Sequence, residues 1–415
     1  MPAAFLILCA AQFASALADN ALLIVTIALI EQRGMPGWWA PLLKVGFVAS
    51  YVLLAPFVGP LADAFPKARL MAWLNAVKVL GVVGLLLGVH PVAAFVVVGL
   101  GASAYAPAKY GLATELVRAE QLVAANGWIE VAAVCAVLLG TGLGGFLVSP
   151  WLVSALGADV HGATGLVSWV RIGPLFPSLL VLIGIFSLAG VLNLFVPDTG
   201  ARHPVSSLHP GPLVREFAAA SRCLWRDRDG GLSLAVTTIF WGVGATLQFA
   251  VLRWANECMH LSLDRAALVQ AAVAIGVIVG ASAAGRFVPL ARAKRMLRVG
   301  VLFGLLMIVV TFTPLLGLAI PLLVTVGAVG GLMVVPLNAL LQHRGYALMS
   351  AGRSIAVQGA SENASVLGFL GVYTALVALD VPLSVLMTGL GLAVVLALLA
   401  LMAREARGEP VAGAA

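Results

Sequence analysis

Apolar residues run along this chain in blocks of roughly twenty, separated by short polar stretches. Blocks of that length cross the ~30 Å hydrocarbon core of a bilayer as helices, and they are too long and too uniformly apolar for barrel strands. Twelve spans are expected, near 3–30, 41–62, 70–89, 91–112, 122–148, 173–196, 232–255, 265–288, 297–314, 316–341, 354–379 and 382–403. Backbone groups in lipid must be satisfied internally, so the expected fold class is an all-α polytopic membrane protein.

Composition agrees. With 62% hydrophobic and 10% charged residues, and a mean hydropathy of +1.08 over 415 residues, the chain has too little polar surface to cover a soluble domain. In the first block, Ala16-Leu17-Ala18 mimics a signal-cleavage site. No Lys or Arg precedes it, however, and the apolar run continues through Ile30, so a retained helix is expected. If the N-terminus is cytoplasmic, most of the 24 Lys and Arg fall in inner loops and the C-terminal tail, and only Arg33, Arg171 and Arg265 fall in outer loops. That bias puts both termini in the cytoplasm. The net charge of +7 then reflects loops facing anionic headgroups and gives no argument for nucleic acid. Trp38 and Trp39 suit an interfacial belt, and Lys44 is expected to snorkel to water.

The informative residues are the polar ones inside the apolar blocks. Asp19 and Asn20 sit midway along the first, where a carboxylate costs about 2.5 to 3.5 kcal/mol on insertion scales and is a functional candidate by default. Lys78 lies about two turns inside helix 3. Helix 4 carries Lys109, helix 5 carries Asn126 and Glu130, and helix 7 has Gln248 near its middle and Arg253 towards its outer end. Helix 11 adds Gln358, Ser361, Glu362 and Asn363. Gly140, Gly142, Gly144 and Gly145 in helix 5 fit close helix packing.

Helix 2 ends in Gly59-Pro60-Leu61-Ala62-Asp63, followed by Lys67 and Arg69. This stretch resembles the G-x-L-x-D-x-x-G-R-K loop of the major facilitator superfamily, with Pro66 at the second glycine and Ala68 at the following base. Its expected role is a conformational latch. A basic stretch after helix 8 (Arg292, Lys294, Arg295 and Arg298) looks like a degraded second copy. Composition shifts sharply between Pro197 and Gly231, dividing the chain into a six-helix half over 1–196, a cytoplasmic linker over 197–231, a second half over 232–405 and a tail over 406–415. A weak repeat supports the division: residues 334–345 parallel 105–116, and each stretch precedes a helix with an early carboxylate.

FASALADNALL, APFVGPLAD, YAPAKYG, AANGWIE, FWGVGATL, VVPLNALLQ-R and AVQ-ENA, in this order, together resemble the bacterial lysophospholipid transporter family of that superfamily. The resemblance implies a monomer in the bacterial inner membrane. It would move lysophosphatidylethanolamine and related lysolipids from the outer to the inner leaflet, with coupling to a cytoplasmic-side acyltransferase. Where the family has an Arg in helix 7, this chain has Gln248, with Arg253 five residues on, so charge roles there stay open. For such a headgroup, Lys109, Lys78 or Arg253 would pair the phosphate and Asp19 or Glu362 the ammonium, with Asn20, Gln248 and Gln358 alongside. In a competing reading, Lys109 with Glu130 and Arg353 with Glu362 form inner-side ion pairs that open and close during transport. Asp63, Lys67 and Arg69 belong to the latch.

The alternatives are an exporter of amphipathic drugs, with Asp19 as proton or cation site, and a lipid acyltransferase. The nearest His and Asp for the latter, His260 and Asp264, have three intervening residues instead of four, so no catalytic residue is assigned. Cys9, Cys135, Cys223 and Cys258 are isolated, the His residues are scattered and no Walker-type phosphate loop occurs. No metal, cofactor or direct use of ATP is expected.

Overall fold

The computed structural model describes residues 1–36, 39–149, 151–152, 175–201, 209–261, 263–313 and 315–407, without the side chains of 40–41 and 263–268. Trp38, Arg171, Arg202, His203 and the tail from 408 lie outside the described residues, as do the side chains of Asp264 and Arg265.

The described elements are helical. In chain order they are α1 (Ala3–Gln32), α2 (Trp39–Leu53), α3 (Ala55–Ala64), α4 (Lys67–Leu86), α5 (Pro91–Leu116), α6 (Leu122–Leu147), α7 (Phe176–Leu194), α8 (Pro210–Arg226), α9 (Arg228–Met259), α10 (Leu263–Phe287), α11 (Leu297–Thr311), α12 (Leu316–Leu348), α13 (Ala351–Ala378) and α14 (Leu383–Arg407). Short 3-10 turns precede α6 and α11. Among the described helices, nine are long and apolar enough to cross a membrane, and ten if the bent pair α2–α3 is one span. α11, at 15 residues, reaches only about 22 Å. α13 carries Arg353, Gln358, Ser361, Glu362 and Asn363, which lower its hydropathy.

The expected continuous helix over 41–62 is instead broken, with a bend of 64° between Leu53 and Ala55. Pro56 has no N–H to give the carbonyl four residues back, and its ring crowds that carbonyl. The chain restarts its hydrogen bonds from Leu54, whose carbonyl accepts from Phe57 and Val58 at 2.9 and 3.0 Å. The linker also holds more than a connection. α8 is amphipathic, begins at Pro210 and seats Leu224 in a small core with Leu234, Leu341 and Val357.

The chain divides into two compact units: Met1–Leu116 with Cys135–Leu213, and Val117–Val134 with Val214–Ala415. In the first, α4 packs on α5 and α7, and α1 on α7 and α5. Its core includes Leu22, Val25, Val82, Phe95, Val98 and Phe186. Gly140 and Gly144 of α6 meet α1, where an added Cβ would stand 2.6 Å from the Leu17 carbonyl and 2.8 Å from Ile24; Gly142 and Gly145 face open space. In the second unit α10 and α12 make the most extensive pairing. Gly276 and Gly280 meet Val324 and Ala328, while Gly327 and Gly331 meet Val273 and Val277, so a side chain at any of the four would run into backbone across the interface.

Candidate functional site

In the first unit the polar residues of α1 and α4 converge. Lys78 is 1% exposed, and its Nζ lies 2.6 Å from Asp19 Oδ2 and 2.9 Å from Ser15 Oγ. Ser15 donates to Asn75 Oδ1 at 2.8 Å, and Asn75 donates to the Met71 carbonyl at 3.0 Å. Helical spacing explains the grouping: Ser15 is one turn before Asp19, and Asn75 is three residues before Lys78. Gly101 of α5 leaves room for the lysine stem, since a Cβ there would sit 2.9 Å from Lys78 Cγ. The Lys78 ammonium also faces the rings of Tyr105 at 5.3 Å and Phe186 at 5.5 Å, within cation–π range. Asn193 of α7 donates to the Tyr105 hydroxyl at 3.3 Å.

One atom in this cluster is left over: Asp19 Oδ1 is buried and has no hydrogen-bond partner. The Asp19 side chain is 16% exposed, against 2% for Lys78, so the carboxylate is the more accessible member. The pair therefore offers a cationic group held from behind and a carboxylate with spare acceptor capacity. That set complements a zwitterion.

Asn20 donates to the Ala16 carbonyl at 2.8 Å, and its Cβ is one of the atoms lying against Gly140. Lys109 Nζ lies 4.1 Å over the Tyr110 ring. Lys67 pairs with Glu115 at the end of α5 at 2.7 Å and donates to the Ala201 carbonyl at 3.2 Å, while Thr199 donates to Glu115 at 2.5 Å. Asp63 is buried beside this group in the sequence, and Arg69 is exposed.

The second unit carries its own polar chain. Asn126 and Gln342 exchange hydrogen bonds at 2.8 and 3.0 Å. Asn338 donates to Asn126 at 3.1 Å, and Gln358 donates both to Asn338 at 2.6 Å and to Glu362 at 2.9 Å. Glu130 is buried, within electrostatic range of Glu362. The suggested pairing of Arg353 with Glu362 does not form. Nine residues apart on one helix, they stand about 13 Å apart along its axis, and Arg353 pairs with Glu216 of α8 at 2.9 Å. Gln248 is exposed on α9, and Arg253 pairs with Glu257 one turn on, at 2.5 Å.

Several partners escaped the sequence reading: Ser15, Asn75, Glu115, Glu216 and the Asp227–Arg344 clamp. Asp227 caps α9 by accepting from Gly230 N at 2.7 Å and takes Arg344 Nε and Nη2 at 3.1 and 2.6 Å. Burial alone would raise the Asp227 pKa, but the guanidinium and the capped N–H outweigh it and hold the carboxyl below its ordinary range. In the repeat, Pro336 falls where Pro107 does and Arg344 where Glu115 does, each of the latter two in an ion pair near its helix end.

The profile described as Major Facilitator Superfamily matches residues 8–379. The lysophospholipid transporters LplT of Yersinia pestis (strain Pestoides F) and Yersinia pseudotuberculosis (serotype O:3, strain YPIII) are each 41% identical over 378 residues, 91% of this chain and 87% of theirs. Among solved structures, a bacterial homologue of the iron transporter ferroportin aligns with a TM-score of 0.69 at 14% identity, covering 98% of this chain and all of that one. The human organic anion transporter MFSD10 aligns at 0.66 and 16% identity, covering 96% of this chain and 100% of its own. These structures establish the fold alone; the curated relatives are transporters. The chain is an all-helical, multi-pass membrane protein of the major facilitator superfamily and belongs, within it, to the lysophospholipid transporter family.

Proposed function

We propose that this protein moves lysophospholipids, chiefly lysophosphatidylethanolamine, from the outer to the inner leaflet of the bacterial inner membrane by alternating access, for re-acylation by a cytoplasmic-side acyltransferase. It works as a monomer with twelve spans and cytoplasmic termini, in two six-helix halves. The observation that carries the reading is the buried Asp19–Lys78 pair, joined at 2.6 Å with Asp19 Oδ1 unsatisfied. A lysophosphatidylethanolamine headgroup brings an ammonium to the free carboxylate oxygen and a phosphate to the lysine, so charge stays balanced as it enters. A headgroup with phosphate alone would draw Lys78 from Asp19 and leave a buried carboxylate uncompensated, which is costly. Lys109, Arg253 and the Gln358–Glu362 pair serve as further polar contacts for the headgroup, and the Lys67–Glu115 and Arg353–Glu216 pairs as latches.

Uptake of labelled lysophosphatidylethanolamine into proteoliposomes tests this directly. The wild type takes up lipid, and Asp19→Ala at equal incorporation loses most of it, on the order of tenfold or more for a lost charge-assisted contact. A well-folded wild type that moves no lysolipid but extrudes amphipathic cations would replace this reading with drug export.

A further inference from the structure

Away from the Asp19–Lys78 cluster, an apolar crevice of about 390 Å³ opens among α9, α13 and α14, lined by Thr246, Ala250, Phe369, Tyr373, Val385 and Leu390. Thr246 and Ala250 are followed on the same helical face by Arg253, in the i, i+4, i+7 relation, one turn beyond the lining. Its Nε is held by Glu257 at 2.5 Å, while Nη1 is buried with no hydrogen-bond partner. Tyr373, which lines the crevice, approaches the same guanidinium.

An apolar trough ending at a cation with an unused donor matches a phospholipid: chain along the trough, phosphate at the guanidinium. The lining is apolar apart from Thr246 and Tyr373, as an acyl chain requires, and the transport reading above supplies a lipid with one such chain. Bilayer lipid is as apolar as the crevice, so filling it gains little in itself. Preference arises at the head, where a phosphate oxygen satisfies Nη1 through a charge-assisted bond that Arg is shaped to make. We infer that this crevice is a binding site for a single-chain phospholipid, with the acyl chain among α9, α13 and α14 and the phosphate on Arg253. The inference rests on the transport reading above and adds a receiving position to it.

The test uses the full chain in proteoliposomes, with lysophosphatidylethanolamine carrying a photoactivatable diazirine on its acyl chain. Cross-links are mapped by mass spectrometry, and uptake is measured in parallel. Labelling is expected on Phe369, Tyr373 or Leu390, suppressed by unlabelled lysolipid and reduced about tenfold by Arg253→Gln. Gly389→Leu, at a crevice position where an added Cβ meets nothing within 4 Å, fills the trough without a clash and is expected to remove the labelling while leaving the melting temperature unchanged. Cross-links elsewhere, or equal competition by diacyl phosphatidylethanolamine, would overturn the inference. Uptake by the wild type with labelling outside the crevice keeps the transport reading and discards this one. Crevice labelling competed by lysolipid, in a protein that moves none, upholds the site and discards the transport reading.

Discussion

Asp19 and Lys78 were each legible in the sequence because a charge inside an apolar block has no inexpensive explanation. Their contact was not. They are 59 positions apart, and whether two helices turn these residues towards each other depends on packing that a single sequence does not display. The supporting Ser15 and Asn75 follow once the two faces are known, being one turn away on each helix. Arg353 shows the opposite failure: the nearest carboxylate on its own helix drew attention, whereas its partner Glu216 sits in what read as a connecting segment. The pairing of Asp19 and Lys78 has a thermodynamic consequence. Removing one member strands the other in a dry site, a loss of roughly 3–5 kcal/mol, whereas removing both leaves neutral groups. Lys78→Met is therefore expected to lower the thermal midpoint in detergent sharply, and the double variant Asp19→Asn with Lys78→Met to recover most of it, with transport absent from both. A double variant as unstable as the single one would show that the ion pair is not what the lysine contributes.

Elements were largely visible as hydropathy blocks: eleven of the expected spans each overlap one described helix, the block at 41–62 is split between α2 and α3, and nine of the described helices, ten with that bent pair, are long and apolar enough to cross a membrane. Bends and helix contacts were not visible. Hydropathy is blind to a break such as that before Pro56, because the residues on both sides remain apolar. The glycines of α6 read as packing residues, and two of the four are: Gly140 and Gly144 touch α1, while Gly142 and Gly145 face open space. The tighter crossing is that of α10 and α12, where Gly276 and Gly280 face Gly327 and Gly331 at four-residue spacing on both helices. Low-complexity apolar sequence contains many glycines, so spacing alone did not single these out. A side chain at Gly280 must push α12 away, at about 1–3 kcal/mol or more for an overpacked site. Gly280→Leu is expected to unfold at lower temperature than the wild type, whereas Gly145→Leu, facing open space, melts alongside it. Equal midpoints for the two would mean that the α10–α12 crossing yields to a side chain without cost.

At the scale of the whole molecule, positive charge bias gives an orientation that the chain's own cysteines can test. α9 spans Arg228 to Met259, 32 residues or about 48 Å, which exceeds the ~30 Å apolar core, so its two ends emerge on opposite sides. Cys223 lies on α8 just before α9 begins, Cys258 lies at its far end, and both are exposed, whereas Cys9 and Cys135 are half-buried within apolar helices. Arg215, Arg222, Arg226 and Arg228 cluster at the Cys223 end, the arrangement that positive-inside sorting places in the cytoplasm. A membrane-impermeant maleimide applied to spheroplasts is therefore expected to modify Cys258, and to reach Cys223 only after permeabilisation, with Cys258→Ser and Cys223→Ser variants assigning each signal. The reverse order would invert the topology proposed above. Equal labelling of both before permeabilisation would put the two ends of α9 on one side, which a straight 48 Å apolar helix in a bilayer does not permit, and would count against α9 as a span.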